Sequence, residues 1–105
     1  DLGGRRIIKT SAAIRQRVTA ARERQLQRQG KPNAHLSVKE IGEHCTAEAE
    51  ADQLARKAIS SLGLSARAYH RILKVARTVA DLTGASGIST THVAEAVQYR
   101  RYERV

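Results

Sequence analysis

One stretch of this chain, bounded by Ser65 and Gly84, constrains the fold more than any other feature of the sequence. At about 100° per residue, its apolar side chains fall on one side of a helix and its cationic side chains on the other. The apolar side carries Ala68, Ile72, Val75, Ala76, Val79 and Thr83, and the opposite side carries Arg67, Arg71, Lys74 and Thr78. Ser65 is a favourable N-cap, and Gly84 suits the turn that ends a helix. The pattern predicts one amphipathic helix with a cationic stripe.

A first helix is predicted from Ser11 to about Gln29, where Gly30 ends it. Its apolar stripe, which we expect to face the core, is formed by Ile14, Val18 and Ala21. Arginines flank this stripe, with Arg15 and Arg22 on one side and Arg17, Arg24 and Arg28 on the other. These arginines either cover the edges of the core with their aliphatic stems or form a face that binds a polyanion.

Three further helices complete the predicted fold. Ser37 and Glu40 have the spacing of a capping box, which predicts a short helix to about His44 or Cys45. Thr46 is the expected cap of the next helix, whose core stripe is formed by Ala47, Ala51, Leu54, Ala58 and Leu62. A last helix is predicted to extend to about Tyr99, with Ser89 or Thr90 as its cap. Because no alternating strand pattern occurs, the predicted fold class is all-α, a small bundle of about five helices.

The composition indicates one small domain with closely packed helices. The chain has 105 residues and contains no Phe, Trp or Met, so its core must be built from Ala, Leu, Ile and Val. Without a Met, Asp1 is not expected to be the natural N-terminus, and we expect the chain to be a domain of a longer protein. Residues 1–10 lack helical spacing and are predicted to be a linker, with the helical domain at residues 11–105.

The charge and the motifs restrict the classes of function. A formal net charge of +9 indicates an anionic partner such as nucleic acid, nucleotide phosphate or an acidic protein surface. Cys45 is the only cysteine, which favours a reducing, cytoplasmic location. The sequence contains no apolar run long enough to predict a membrane span. No zinc-site spacing, nucleophile elbow or phosphate loop occurs, so we expect no metal and no enzymatic activity of the domain by itself.

Several segments resemble, in order and spacing, the C-terminal domain of magnesium-chelatase-like AAA+ ATPases. The matching segments are residues 11–18, 21–26, 33–37, 63–73, 75–82 and 95–100. Within that family the sequence is most similar to the bacterial competence-protein branch, of the ComM or YifB type. The resemblance implies a helical lid that follows a nucleotide-binding AAA+ core in the same chain. It also implies a hexamer with neighbouring subunits as partners, and ATP and Mg²⁺ bound mainly by the core.

The same resemblance implies roles for particular residues. Ser65 and Arg67 are similar to the sensor 2 motif, whose arginine contacts the γ-phosphate of ATP in its own or a neighbouring subunit. Arg67 is therefore the first candidate for phosphate contact and Arg71 the second, whereas Arg67 could also be a solvated residue near a helix start. For Arg77 we favour a structural or interdomain salt bridge over contact with a phosphate. Candidate nucleic-acid or interdomain contacts are Arg15, Arg17, Arg22, Arg24, Lys74 and Arg77.

Three functions remain open on the sequence alone. The first is a lid that couples ATP hydrolysis to the motion of a motor on DNA, as in ComM-like proteins. The second is the lid of a magnesium chelatase ATPase subunit, which drives metal insertion into a porphyrin. The third is a stand-alone basic helical domain that binds DNA, which predicts salt-sensitive binding by the domain alone.

Overall fold

The computed structural model describes residues 11–103, and the side chains of residues 11–100. The predicted linker, residues 1–10, lies outside the described residues. Five α-helices form the described part: α1 (Ser11–Gln29), α2 (Val38–His44), α3 (Ala49–Leu62), α4 (Ala66–Thr83) and α5 (Thr90–Glu103). A 3-10 turn at Asn33–His35 connects α1 to α2. The predicted all-α bundle is confirmed.

Helix α4 is the centre of the bundle, since each of the other four helices contacts it. Its predicted ends are confirmed: the Ser65 hydroxyl accepts a hydrogen bond from the Ala68 amide at 3.4 Å, and Gly84 adopts φ of 77°. The left-handed conformation at Gly84 lets the chain leave the helix without strain. The predicted apolar face is buried at Ala68, Ile72, Ala76 and Val79, whereas Val75 is half-buried and Thr83 is exposed.

Small side chains allow the helices to pack closely. Ala51 and Ala55 of α3 and Ala76 and Ala80 of α4 are fully buried, with 0% of their surface exposed. The larger buried side chains include Ile72, Ile88 and Val93. Since an alanine brings little volume to a contact, helix axes can approach each other more closely at these positions.

The capping box predicted for α2 is confirmed. The Ser37 hydroxyl accepts from the Glu40 amide at 3.3 Å, and the Ser37 amide donates to Glu40 Oε1 at 2.9 Å. Lys31 Nζ lies 2.8 Å from the same Glu40 oxygen. The hydrogen bond from Lys31, followed by that from the Ser37 backbone, lowers the pKa of Glu40 to about 2.

The predicted Thr46 cap of α3 is wrong. The helix begins at Ala49 with Glu48 as its N-cap, and the Thr46 hydroxyl donates instead to the carbonyl of Gly42 at 3.1 Å. Ala47 forms an isolated parallel bridge with Ile88, and the Glu48 amide donates to the Ile88 carbonyl at 3.0 Å. This backbone pairing keeps the chain extended up to Glu48, so the helix starts later than the sequence pattern indicates.

The prediction that the apolar stripe of α1 faces the core is also wrong for two of its three residues. Ile14 and Val18 are each 50% exposed, whereas Ala21 is buried, as is Gln25 one turn later. The bundle covers this stripe only toward its C-terminal end, where Gln25 accepts a hydrogen bond from the Asn33 amide at 2.9 Å.

The last helix starts where it is predicted to start and is longer than predicted. It runs from Thr90 to Glu103, past the expected end at Tyr99. The Ser89 amide donates to His92 Nδ1 at 3.0 Å. The His92 side chain therefore accepts from the backbone amide before the helix, which is the role of the glutamate in a capping box. Within the described part of the chain, no helix has the length and apolar character that a membrane crossing requires.

Candidate anion-binding groove

A groove with a volume of about 800 Å³ runs between α4 and the segment formed by the 3-10 turn and α2. The four residues of the predicted cationic stripe, Arg67, Arg71, Lys74 and Thr78, all line this groove, together with His70 and Val75. Residues of the facing segment that line it are Ala34, Leu36, Val38 and Ile41. The groove thus has one cationic wall and one apolar wall.

Arg67 lies at the N-terminal end of the cationic wall. It is the second residue of α4, and its side chain is exposed. Among the described residues, none forms a hydrogen bond or an ion pair with its guanidinium group. The backbone amides of the first helical turn also carry partial positive charge, so an anion at this end of the groove would meet both.

The opposite end of the cationic wall is anchored to the 3-10 turn. Thr78 Oγ1 donates to the Lys74 carbonyl at 3.0 Å and accepts a hydrogen bond from Asn33 Nδ2 at 3.1 Å. Lys74 Nζ lies 3.4 Å from the Ala34 carbonyl. These bonds hold the two walls together at one end and leave the Arg67 end without a comparable connection among the described residues.

Arg71 occupies the middle of the wall and extends the groove toward α5. It also lines a small adjoining cavity with Tyr99 and Arg100. The structure therefore brings the first and second candidates for phosphate contact, Arg67 and Arg71, into one site with Lys74.

The apolar wall completes the character of the site. Val38 is 63% exposed, whereas Leu36 and Ile41 are buried. Neither a carboxylate nor a hydroxyl nucleophile other than Thr78 lines the groove. An arrangement of this kind can bind a ligand that carries both anionic and apolar parts, and it offers no general acid or base apart from His70.

Arg77 lies away from the groove and pairs within the domain. Its side chain is 5% exposed, its Nη2 atom lies 3.1 Å from Asp81 Oδ1, and it donates to the carbonyls of Ala85 and Ser86 at 2.9 and 3.2 Å. Since these contacts hold the turn after α4 against the helix, they give Arg77 a structural role inside the domain.

The α1 arginines of the predicted polyanion-binding face do not line the groove. Arg24 Nη1 donates to the carbonyl of Asp81 at 2.8 Å, which satisfies an acceptor in the last turn of α4. Arg15, Arg17 and Arg22 are exposed on α1. Apart from Arg77, the candidate residues therefore fall into a groove set and an α1 set, and the structure does not bring the two sets together.

Asp81 is the important polar residue that the sequence analysis missed. Its buried carboxylate accepts hydrogen bonds from Arg28 and Asn33 and forms an ion pair with Arg77. Burial by itself raises the pKa of Asp81, but the hydrogen bonds from Arg28 and Asn33 and the charge of Arg77 outweigh it, so the pKa is lowered. The sequence does contain a signal for this ion pair, because Arg77 and Asp81 are four residues apart and therefore share one face of the helix.

No cluster in the described part of the chain is suited to a metal, since no three His, Cys, Asp or Glu side chains come together there. Cys45 is 1% exposed, and burial, the largest influence, raises the pKa of its thiol to about 11. A thiol in this state is a poor nucleophile and a poor ligand.

Comparison with known proteins shows the family of the chain. The family model described as "Magnesium chelatase, subunit ChlI C-terminal" matches residues 8–100. The chain is similar to the competence protein ComM of Haemophilus influenzae, with 49% identity over 96 residues. It is also 47% identical over 96 residues to the protein YifB of Escherichia coli, and 45% identical to YifB of Salmonella typhimurium.

In each of these alignments the match covers 91% of this chain and 19% of the relative. The chain therefore spans about one fifth of the length of the curated relatives that it matches. Because the family model covers most of the chain and the aligned residues include both walls of the groove, the chain belongs to the family of magnesium chelatase ChlI-type C-terminal domains.

Proposed function

We propose that this chain is the C-terminal lid domain of a magnesium-chelatase-like AAA+ ATPase, and that Arg67 contacts a phosphate of ATP bound to the ATPase core. The observation that carries the proposal is the exposed guanidinium of Arg67, which has no partner among the described residues and lies in one groove with Arg71 and Lys74. Family membership supports the lid assignment.

The chemistry of the side chain suits this role. A guanidinium group carries a permanent charge and several donors in a fixed plane, so it can stabilise the charge on phosphate oxygens during transfer. Because Arg67 lies on a helical domain separate from the core, loss of the phosphate would change the orientation of the lid. Arg71, one turn further along α4, is the second candidate for the same contact.

In this proposal the catalytic groups belong to other parts of the assembly. ATP and Mg²⁺ would be bound mainly by an AAA+ core in the same polypeptide, and neighbouring subunits of a hexamer would be further partners. The domain would contribute one phosphate contact and the motion of the lid, with no catalysis of its own. A cytoplasmic location, with Cys45 reduced, belongs to the same proposal.

DNA is the favoured substrate of the motor. The Haemophilus influenzae relative is named a competence protein, and the net charge of +9 would attract a polyanion. The alternative is an ATPase subunit that drives metal insertion into a porphyrin, which the family description supports. The two differ in the ligand that should stimulate ATP hydrolysis. A stand-alone DNA-binding domain, the third possibility, would bind DNA without any ATPase core.

The test is the steady-state ATP turnover of the full-length polypeptide with Arg67→Ala. We expect a loss of at least about tenfold, equivalent to about 1.4 kcal/mol of transition-state stabilisation. Arg67→Lys should recover only part of the activity, because an ammonium group lacks the planar set of donors. Lys57→Ala, which removes an exposed cation on α3 outside the groove, is the matched control and should leave turnover unchanged.

Normal turnover of a folded, assembled Arg67→Ala variant would overturn the phosphate contact and leave Arg71 to be tested in the same way. Stimulation of turnover by single-stranded or branched DNA would support the DNA motor, and its absence would favour the chelatase alternative. Salt-sensitive DNA binding by the 105-residue chain alone would support the stand-alone domain.

A further inference from the structure

The apolar stripe of α1 continues beyond the region that the bundle covers. At about 100° per residue, Ile14, Val18, Ala21 and Gln25 lie within a narrow sector of the helix surface. Ala21 and Gln25 are 3% and 7% exposed, whereas Ile14 and Val18 are each 50% exposed. The same stripe is thus a packed contact at one end and an open surface at the other. We call the open part, Ile14 and Val18, the α1 ridge.

Cationic side chains border the α1 ridge on both sides. Arg15 and Arg22 lie on one side and Arg17 on the other, and all three are exposed. Among the described residues, none forms an ion pair with these arginines. The arginines nearer the C-terminal end behave differently, since Arg24 and Arg28 are bonded to Asp81. At the N-terminal end of the stripe, Ile14 and Val18 thus lack apolar cover, and the arginines beside them have no anionic partner among the described residues.

We propose that the α1 ridge docks into an apolar groove, bordered by carboxylates, on the AAA+ core of the same polypeptide. This inference rests on the proposed function, because the core is the portion of protein that a lid must contact. Two observations support this occupant. The ridge continues a stripe that is already a packed interface, and its flanking arginines are complementary to an acidic surface. The curated relatives, of which the matched segment is 19%, contain ample further chain to form such a surface.

Two other occupants fit the observations less well. Nucleic acid would pair with the arginines, but the phosphate backbone offers nothing to cover two half-exposed aliphatic side chains at the centre of the surface. A second copy of this chain would bring another net charge of +9 to the contact, and the resulting repulsion disfavours self-association.

The experiment compares thiol labelling of Val18→Cys and Thr19→Cys by N-ethylmaleimide, in the 105-residue chain and in the full-length polypeptide. Val18 and Thr19 are adjacent, exposed and similar in shape, but Thr19 points away from the ridge. Peptide mass spectrometry separates each new thiol from Cys45, which is buried. Ile14→Cys serves as a second ridge variant in case Val18→Cys disturbs the contact.

We expect equal labelling rates, within about twofold, for both variants of the 105-residue chain. In the full-length polypeptide the ridge variants should label at least about tenfold more slowly than in the 105-residue chain, which corresponds to about 1.4 kcal/mol of protection. The labelling rate of Thr19→Cys should be the same in both. Adding Arg22→Glu to Val18→Cys should restore most of the labelling rate, because a carboxylate-lined partner would repel the new charge. High salt should have a weaker effect in the same direction.

Four results would overturn the proposal. Equal labelling of Val18→Cys and Thr19→Cys in the full-length polypeptide would show that nothing covers the ridge. Slow labelling of Val18→Cys already in the dilute 105-residue chain would show cover from within that chain. Protection that rises with the concentration of the 105-residue chain would show a second copy, and protection that requires added DNA would show nucleic acid. None of these readouts depends on ATP turnover, so the result is separable from the Arg67 test.

Discussion

Arg28 donates hydrogen bonds to both carboxylate oxygens of Asp81, at 2.9 Å to Oδ1 and 3.1 Å to Oδ2, although the residues are 53 positions apart. Asp81 also forms an ion pair with Arg77, which lies on its own helix, with 3.1 Å between Arg77 Nη2 and Asp81 Oδ1. One buried carboxylate therefore holds the end of α1 and the turn after α4 together. Because α1 buries few apolar side chains, this polar contact is a major part of what keeps it on the bundle.

Replacement of the central carboxylate should be strongly destabilising. In Asp81→Asn the guanidinium of Arg77 stays buried without an anionic partner, and we expect the free energy of unfolding to fall by about 3 kcal/mol. Asp52→Asn, which removes a much more exposed ion pair with Arg56, should cost less than about 1 kcal/mol. Urea unfolding of both variants measures the difference. Equal small losses would contradict the central role of Asp81.

The contribution of Asp81 should disappear in acid. Its pKa is lowered in the folded chain, so the unfolded chain binds the proton first as the pH falls, and the stabilisation is present above the ordinary aspartate pKa of about 4. We expect the stability difference between the parent chain and Asp81→Asn to be constant from about pH 7 to pH 5 and to shrink below about pH 4. A difference that persists unchanged at about pH 2 would contradict this.

Glu40 should show a similar acid transition at the N-terminus of α2. Its pKa falls from 4.5 to about 2 because of the hydrogen bonds from Lys31 and Ser37. The stabilisation by this carboxylate should therefore be complete above about pH 4.5 and lost progressively down to about pH 2. Urea unfolding of Glu40→Gln across this range measures it, and the variant and the parent chain should converge in stability at the acid end.

A larger side chain at a helix contact should disturb the close packing. Ala96 of α5 is 2% exposed, and Ala96→Leu should cost about 1–3 kcal/mol because the neighbouring helices must move apart. Ala94→Leu places the same side chain on the exposed face of α5 and should change the stability by less than about 0.5 kcal/mol. Thermal unfolding of the two variants provides the comparison, and equal effects would mean that the core has spare volume near Ala96.

The thiol of Cys45 should be inert in the folded chain. With a pKa of about 11 and 1% exposure, only about one molecule in a thousand carries the thiolate at pH 8, and the reagent cannot reach it. Labelling by N-ethylmaleimide should become fast only in denaturant. Rapid labelling under native conditions would show that the region around α2 opens easily.

Much of the local structure could be predicted from the sequence. Ser65 and Gly84 mark the ends of α4 and Ser37 with Glu40 marks the start of α2, since a cap depends on a few neighbouring residues. The stripe of Arg67, Arg71 and Lys74 could be predicted for the same reason, because helical periodicity alone puts these residues on one face. The start of α3 could not be predicted, since the backbone hydrogen bond from Glu48 to the distant Ile88 holds the chain extended there.

The sequence by itself therefore determined the five helices, the caps of α2 and α4 and the cationic face of α4. Only the tertiary structure decided that Leu36 and Val38 form the second wall of the groove, that Arg28 and Arg77 meet at Asp81, and that Ile14 and Val18 remain uncovered. The physical reason is that periodicity specifies which side chains share a face, whereas burial depends on where another helix begins and ends. In α1, for example, Ala21 and Gln25 are buried, whereas Ile14 and Val18 on the same stripe are each 50% exposed.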